Sequence, residues 1–120
     1  MYTFSFEKLE VWKEAVKLSK KLYAVTENFP DSEKFGLTNQ LRRASVSISS
    51  NLAEGTSRTT NKDKAHFTTI AYSSTMEVLS QLIVSKDLNF LNEEDYLELR
   101  TIIYKISNML NSLRKAQLNH

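Results

Sequence analysis

A chain of 120 residues, 41% hydrophobic and without cysteine, is sized for one domain over residues 1–120 with its own core; disulfide scaffolds, thiolate metal sites and cysteine nucleophiles are excluded. Two glycines and one proline leave too few turns for an all-β fold, so a few long helices are expected. The net charge of +2 is too small to announce a nucleic-acid partner; no run is long and apolar enough for a membrane span and no apolar signal region opens the chain, so a cytoplasmic protein is expected.

The first helix is expected from Lys8 to Glu27. Val11, Ala15, Leu18, Leu22, Val25 and Phe29 recur in steps of four and three, one stripe of a helix, and Leu9, Trp12, Val16 and Tyr23 widen it. Pro30 stops that helix and Asp31-Ser32-Glu33-Lys34 reads as a turn. The next segment carries two signals. Ser45-Val46-Ser47-Ile48-Ser49 alternates like a strand, whereas Leu37, Leu41, Ala44, Ile48 and Leu52 form a longer helical stripe. The only β-prone partner for a strand lies around Phe67 to Tyr72, so the helix is preferred, from Leu37 to Glu54 with Gly55 as its C-cap. The small Ser45, Ser47 and Ser49 would let a neighbouring backbone approach.

Thr60 or Asn61 can cap a third helix that runs to Leu88, with Phe67, Ile70, Ser74, Val78 and Leu82 facing inward. Asn89 suits the left-handed residue after it, and Asn92 with Asp95 resembles a capping box opening the fourth helix. There Tyr96, Leu99, Ile103, Ile106, Leu110 and Leu113 alternate steps of three and four without a break. Four helices joined by short connections make an all-α, antiparallel up-down four-helix bundle.

Phe35-Gly36-Leu37, Gln40-Leu41-Arg42-Arg43-Ala44, Val46-Ser47-Ile48 and Ser50-Asn51-Leu52-Ala53-Glu54-Gly55 form a motif with a specific resemblance. It resembles the four-helix-bundle proteins encoded in intervening sequences of 23S ribosomal RNA genes. Leu9-Glu10-Val11-Trp12, Phe29-Pro30, Ser73-Ser74, Glu77 and Gln81-Leu82 extend the likeness over nearly the whole chain. Two positions depart from the pattern: Ser49 stands where proline is common, and Asn89 where glycine is. The resemblance implies an up-down bundle assembled into rings of five. It also implies kinship with an accessory protein of diversity-generating retroelements, whose ring binds a reverse transcriptase and nucleic acid. Asn51, Glu54, Gly55 and Glu77 belong to its structural motif.

Among candidate site residues, residues 35–86 hold six bases (Arg42, Arg43, Arg58, Lys62, Lys64, Lys86) against three acids (Glu54, Asp63, Glu77). Arg42 and Arg43 differ by about 100° on a helix, which puts at least one near the edge of the buried stripe. They can contact phosphate through guanidinium forks, or pair with Glu77 or Glu54 inside the bundle. Arg58, Lys62 and Lys64 surround the start of the third helix, where cations are electrostatically unfavourable. That placement mildly favours a purpose such as anion binding, while a solvated loop with ordinary lysines is the heavier alternative.

No metal, cofactor or catalytic residue is expected. Glu54 and Glu77 lack the Glu-x-x-His partners of di-metal bundles, His66 follows no such glutamate, and His120 is the only other histidine. There is no phosphate-binding glycine loop and no credible triad, so the protein is read as a non-enzyme. Two functions remain: an oligomeric ring that binds structured RNA or DNA through Arg42, Arg43, Arg58, Lys62 and Lys64, or a protein-interaction scaffold. Tyr2, Phe4 and Phe6 before the first helix, and Val46 off the second helix's stripe, are expected to serve subunit contacts in a homo-oligomer, a pentamer first. Glu54 and Glu77 are expected to be structural, each within reach of an arginine.

Overall fold

The structure, a computed structural model, describes residues 1–119. Four helices follow one another: α1 (Glu10–Thr26), α2 (Leu37–Thr56), α3 (Asn61–Asp87) and α4 (Glu93–Leu118), with short 3-10 turns at Ser5–Lys8 and Asp31–Glu33. Each helix packs on the next and α4 closes back on α1, while the diagonal pairs do not meet. This is the all-α, up-down four-helix bundle, and no strand occurs among the described residues. None of the described helices is long and apolar enough to cross a membrane.

The core follows the stripes of α1, α2 and α4 closely. Leu18, Leu22, Leu41, Ile48, Leu82, Leu99, Ile103, Ile106 and Leu110 are fully buried. Each such side chain stabilises the fold by about 1.5–3 kcal/mol relative to exposure. The stripe of α3 sits differently from expectation. Ser74, Val78 and Leu82 face inward, but Phe67 and Ile70 are half-buried and Ala65, Thr68, Ala71, Thr75 and Ser85 take the remaining inner positions.

The alternating serines of α2 resolve into helix geometry. Residues two apart lie about 200° from each other on a helix, so Ser45 and Ser47 face opposite neighbours. Ser45 accepts a 3.1 Å hydrogen bond from Ser19 of α1, and Ser47 shares a 3.0 Å bond with Ser74 of α3. Small side chains thus bring α2 close to both neighbours.

Gly55 corrects the expected boundary. It is not a C-cap but a buried helical residue, α2 running on to Thr56. A Cβ added there would stand 2.9 Å from the Cβ of Phe67. The glycine is required by close approach of α3, not by a left-handed turn. The remaining signals sit where expected. Thr60 and Asn92 cap α3 and α4 by accepting from the backbone N–H groups of Asp63 and Asp95, and Asn89 has a left-handed φ of 62°.

Candidate nucleic-acid interface

Arg42 lies in the second turn of α2 and reaches across to the end of α1. Its Nε donates to Thr26 Oγ1 at 2.9 Å, and one terminal nitrogen donates to the Tyr23 carbonyl at 3.3 Å and to Glu27 Oε1 at 3.1 Å. The guanidinium also lies 4.6 Å from the Tyr23 ring centroid. Thr26 is itself buried, anchored to the Leu22 carbonyl at 2.7 Å. This fork clamps α1 to α2, and its acid is Glu27 instead of the expected Glu54 or Glu77.

Arg43 is exposed on the opposite flank, in a groove of about 380 Å³ between α2 and α3 lined also by Asn39, Gln40, Ser47 and Glu77. The arginine pairing expected of Glu77 is not formed. Glu77 is exposed, accepts from Gln81 Nε2 at 3.2 Å, and makes no ion pair among the described residues. Glu54 is likewise exposed without such a partner. Asn51 is half-buried and donates to the Ser47 carbonyl and hydroxyl at 2.8 and 3.0 Å, holding the side of α2 that meets Ser74.

Arg58, Lys62 and Lys64 lie beyond the far end of α2, whose last residue, Thr56, is about 21 Å from Arg42 at 1.5 Å per residue. The five basic residues are therefore two groups, not one patch. Arg58 rests over Phe67, 4.6 Å from its centroid, so the close contact of Gly55 with Phe67 also seats this guanidinium. Lys64 is half-buried and lines a cavity of about 410 Å³ with Ser5, Leu9, Thr56, Asn61, Leu113 and Gln117.

The antiparallel topology brings Lys8, Arg114 and Lys115 to this same end, from the start of the chain and the end of α4. None of Lys8, Arg58, Lys62, Lys64, Arg114 and Lys115 makes an ion pair among the described residues. At the opposite end Lys21 pairs with Asp95 and Glu98, Arg42 with Glu27, and Lys86 with Glu93. Sequence reasoning missed Lys8, Arg114 and Lys115 because only the fold makes them neighbours of residues 58–64. Hydrogen bonds that the Lys21 ammonium donates to Glu98 and Asp95 hold it above its ordinary pKa.

Exposed apolar residues gather on two opposite faces. Val46 and Tyr23 border a shallow apolar cleft between α1 and α2 with Val16, Ser19 and Ser49. Leu97 and Tyr104 border another of about 580 Å³ between α3 and α4, with Met76 and Leu79. Tyr2 and Phe4 are exposed too, but they stand at the basic end, beside Ser5 of the Lys64 cavity.

Comparison with known proteins gives a family and a fold. The model of the family described as 23S rRNA-intervening sequence protein matches residues 7–112. The chain is similar to a solved protein of unknown function from the S23 ribosomal protein family of Bacteroides thetaiotaomicron VPI-5482. The TM-score is 0.81 at 19% identity, covering 88% of this chain and 95% of that one. No curated protein matches the chain. With the matched stretch running from the 3-10 turn before α1 well into α4, the chain belongs to the 23S rRNA-intervening sequence protein family.

Proposed function

We propose that this protein is a non-enzymatic, ring-forming helical bundle that binds nucleic acid electrostatically through the end carrying Arg58, Lys62 and Lys64. The single observation that carries the reading is the collection of six basic side chains at one end without ion-pair partners among the described residues. Lys21, Arg42, Lys86 and Lys105 pair with carboxylates, whereas at the basic end Arg114 donates to Thr69 Oγ1 at 2.8 Å and Arg58 lies over Phe67. Cations left facing water beside the free N–H groups of a helix start are suited to phosphate. Arg43 joins them only if its α2–α3 groove faces the same ligand, and Arg42 keeps its place in the α1–α2 clamp.

The two opposite apolar faces support a homo-oligomer. A face at α1–α2 that packs on a different face at α3–α4 makes a heterologous contact, and such contacts form a ring when the rotation between neighbours closes. A pentamer is the first choice, from the family resemblance. Repeating one basic end around a ring raises avidity without a strong single site. The reading places the protein in the cytoplasm with RNA or DNA, without base-specific readout.

The test is a polarisation titration of labelled structured RNA and duplex DNA at two salt concentrations, with Arg58→Glu/Lys62→Glu as control. Affinity should fall with salt at a slope of about 0.7–0.9 per phosphate neutralised. The charge reversal should weaken it about tenfold or more. A light-scattering mass of one chain at micromolar concentration would remove the ring.

A second reading has its own observation. The apolar α3–α4 cleft with exposed Tyr104 can seat a protein partner, such as a nucleic-acid enzyme, with no direct nucleic-acid contact. Binding unaffected by the double charge reversal selects it.

A further inference from the structure

The basic end carries an aromatic device that the charges alone do not explain. Tyr2 and Phe4 are 77% and 59% exposed, yet they are held in place. The Phe4 N–H donates to Glu7 Oε2 at 2.8 Å, and the Phe4 carbonyl accepts from the Glu7 N–H at 3.1 Å. The rings form a ladder: Tyr2 meets Phe4 edge-on at 5.0 Å, Phe4 lies near-parallel to Phe6 at 6.5 Å, and Phe6 meets Trp12 edge-on at 5.2 Å. The inner rungs Phe6 and Trp12 are half-buried, so the ladder is rooted in the bundle and only its outer rungs face water. Ser5, next to Phe4, shares a cavity wall with Lys64.

Exposing two large rings on an ordered arm is unfavourable unless something covers them. Through Ser5 the arm borders the cavity of Lys64, at the end that also carries Lys8, Arg58, Lys62, Arg114 and Lys115 without ion pairs among the described residues, so the complementary occupant is anionic and presents apolar flat faces. An acidic peptide supplies charge without regular flat faces. A duplex supplies phosphate but keeps its bases stacked inside. A single strand offers both, since each nucleotide carries one phosphate and one unpaired base.

We infer that Tyr2 and Phe4 form a stacking platform on which unpaired bases of single-stranded nucleic acid rest while Arg58, Lys62 and neighbouring cations hold the phosphates. This rests on the reading of the basic end as a nucleic-acid interface and names its preferred ligand. Stacking accepts every base, so the site tells single strand from duplex and not one sequence from another.

The experiment compares a labelled unstructured RNA of about 12 nucleotides, within the usual span of such sites, with a blunt duplex DNA of the same length. Wild type, Tyr2→Leu/Phe4→Leu and Arg58→Glu/Lys62→Glu are titrated by polarisation, each checked by light scattering. Leucine keeps an apolar side chain and removes the π-face. The platform predicts tighter binding of the single strand and about a tenfold loss for it in the leucine pair. Duplex binding and the salt slope stay unchanged, whereas the charge reversal weakens both ligands. A Tyr2→Trp variant, excited at the red edge, should lose emission on adding the single strand and not the duplex. If both ligands bind equally and the leucine pair changes neither, the platform is overturned while the phosphate reading stands. If the leucine pair lowers the oligomer mass, the arm is a subunit contact and the platform is overturned. If neither ligand binds wild type, the basic-end reading falls and takes the platform with it.

Discussion

The two ends of the bundle are built from the same residue types to opposite purpose. Where α1 meets α2 and α3 meets α4, carboxylates from the start of α4 and the α1–α2 turn surround Lys21, Arg42 and Lys86, and each of these cations is paired. The acids at the start of α4 also suit that helix's dipole. Where α2 meets α3, Lys62 and Lys64 flank Asp63 at the start of α3, against the dipole, and neither makes an ion pair among the described residues. One end spends its charges on holding helices together. The other leaves Lys62 and Lys64 without ion pairs at the start of a helix, a local electrostatic disadvantage that Lys34 and Arg43, also without ion pairs among the described residues, do not carry at the paired end.

The largest expected effect breaks the paired end. Arg42→Ala removes two contacts to Thr26 and Glu27, one to the Tyr23 carbonyl, and the stacking on Tyr23. Hydrogen bonds from a charged donor are each worth about 1.5–3 kcal/mol, discounted here because Glu27 is exposed. A loss of about 2 kcal/mol in chemical denaturation is expected, with RNA affinity unchanged. Arg42→Lys should recover less than half of it, since an ammonium cannot reproduce the fork. Arg58→Ala at the other end should leave stability within about 0.5 kcal/mol, as surface changes do. Equal losses from the two alanines would erase the contrast.

Gly55→Ala sharpens the free end. Alanine would gain up to about 1 kcal/mol of helix propensity. Its Cβ, however, must stand 2.9 Å from the Cβ of Phe67, an atom that no rotamer moves. Overpacking of this kind costs about 1–3 kcal/mol, so a net loss of about 1 kcal/mol is expected. Because Arg58 rests on Phe67, RNA affinity should fall too. A stabilised Gly55→Ala variant would show that α2 and α3 separate freely there.

How much of this was legible in sequence depended on what each helix buries. α1 and α4 bury branched and long apolar side chains, so their periodicity reads directly. α3 buries Thr68, Thr75 and Ser85, whose hydroxyls donate to the carbonyls of Lys64, Ala71 and Gln81 one turn back. Such residues look polar in sequence yet need no water, so the stripe expected from sequence lies too far toward Phe67 and Ile70. Gly55 read as a stop because its partner Phe67 lies on another helix. For the candidate site, Arg58, Lys62 and Lys64 were legible as neighbours in the chain. Lys8, Arg114, Lys115 and the rings of Tyr2 and Phe4 join them only through antiparallel packing. Arg42 was ambiguous because its partner Glu27 sits across a turn, and the acids nearer in the motif drew the pairing instead.

A smaller effect has the less obvious sign. Lys62 is the second residue of α3, after the Thr60 cap and Asn61. Lys62→Glu should therefore raise stability by about 0.5 kcal/mol, the usual worth of an anion in a helix's first turn. The same substitution should weaken RNA binding. A variant that gains stability while losing ligand would mark the position as kept for binding; one that loses both would mean Lys62 supports the fold through a contact of its own.

The smallest effect tests the paired end by pH. The ammonium of Lys21 holds its proton more tightly in the folded chain than in the unfolded one, because Glu98 and Asp95 accept its hydrogen bonds at 3.1 and 3.3 Å. A raised folded-state pKa favours folding fully while pH stays below the unfolded lysine value. That contribution is lost as pH rises through the folded value. The window is therefore alkaline, above the ordinary lysine range. Glu98 is more than half exposed, so solvent screening keeps the effect small, about a degree or two in Tm. Wild type should be more stable than Lys21→Met at pH 7 by that margin, and the two melting curves should converge as the solution is made strongly alkaline. Parallel curves for wild type and Lys21→Met at every pH would mean that the carboxylates of α4 do no more for Lys21 than water does.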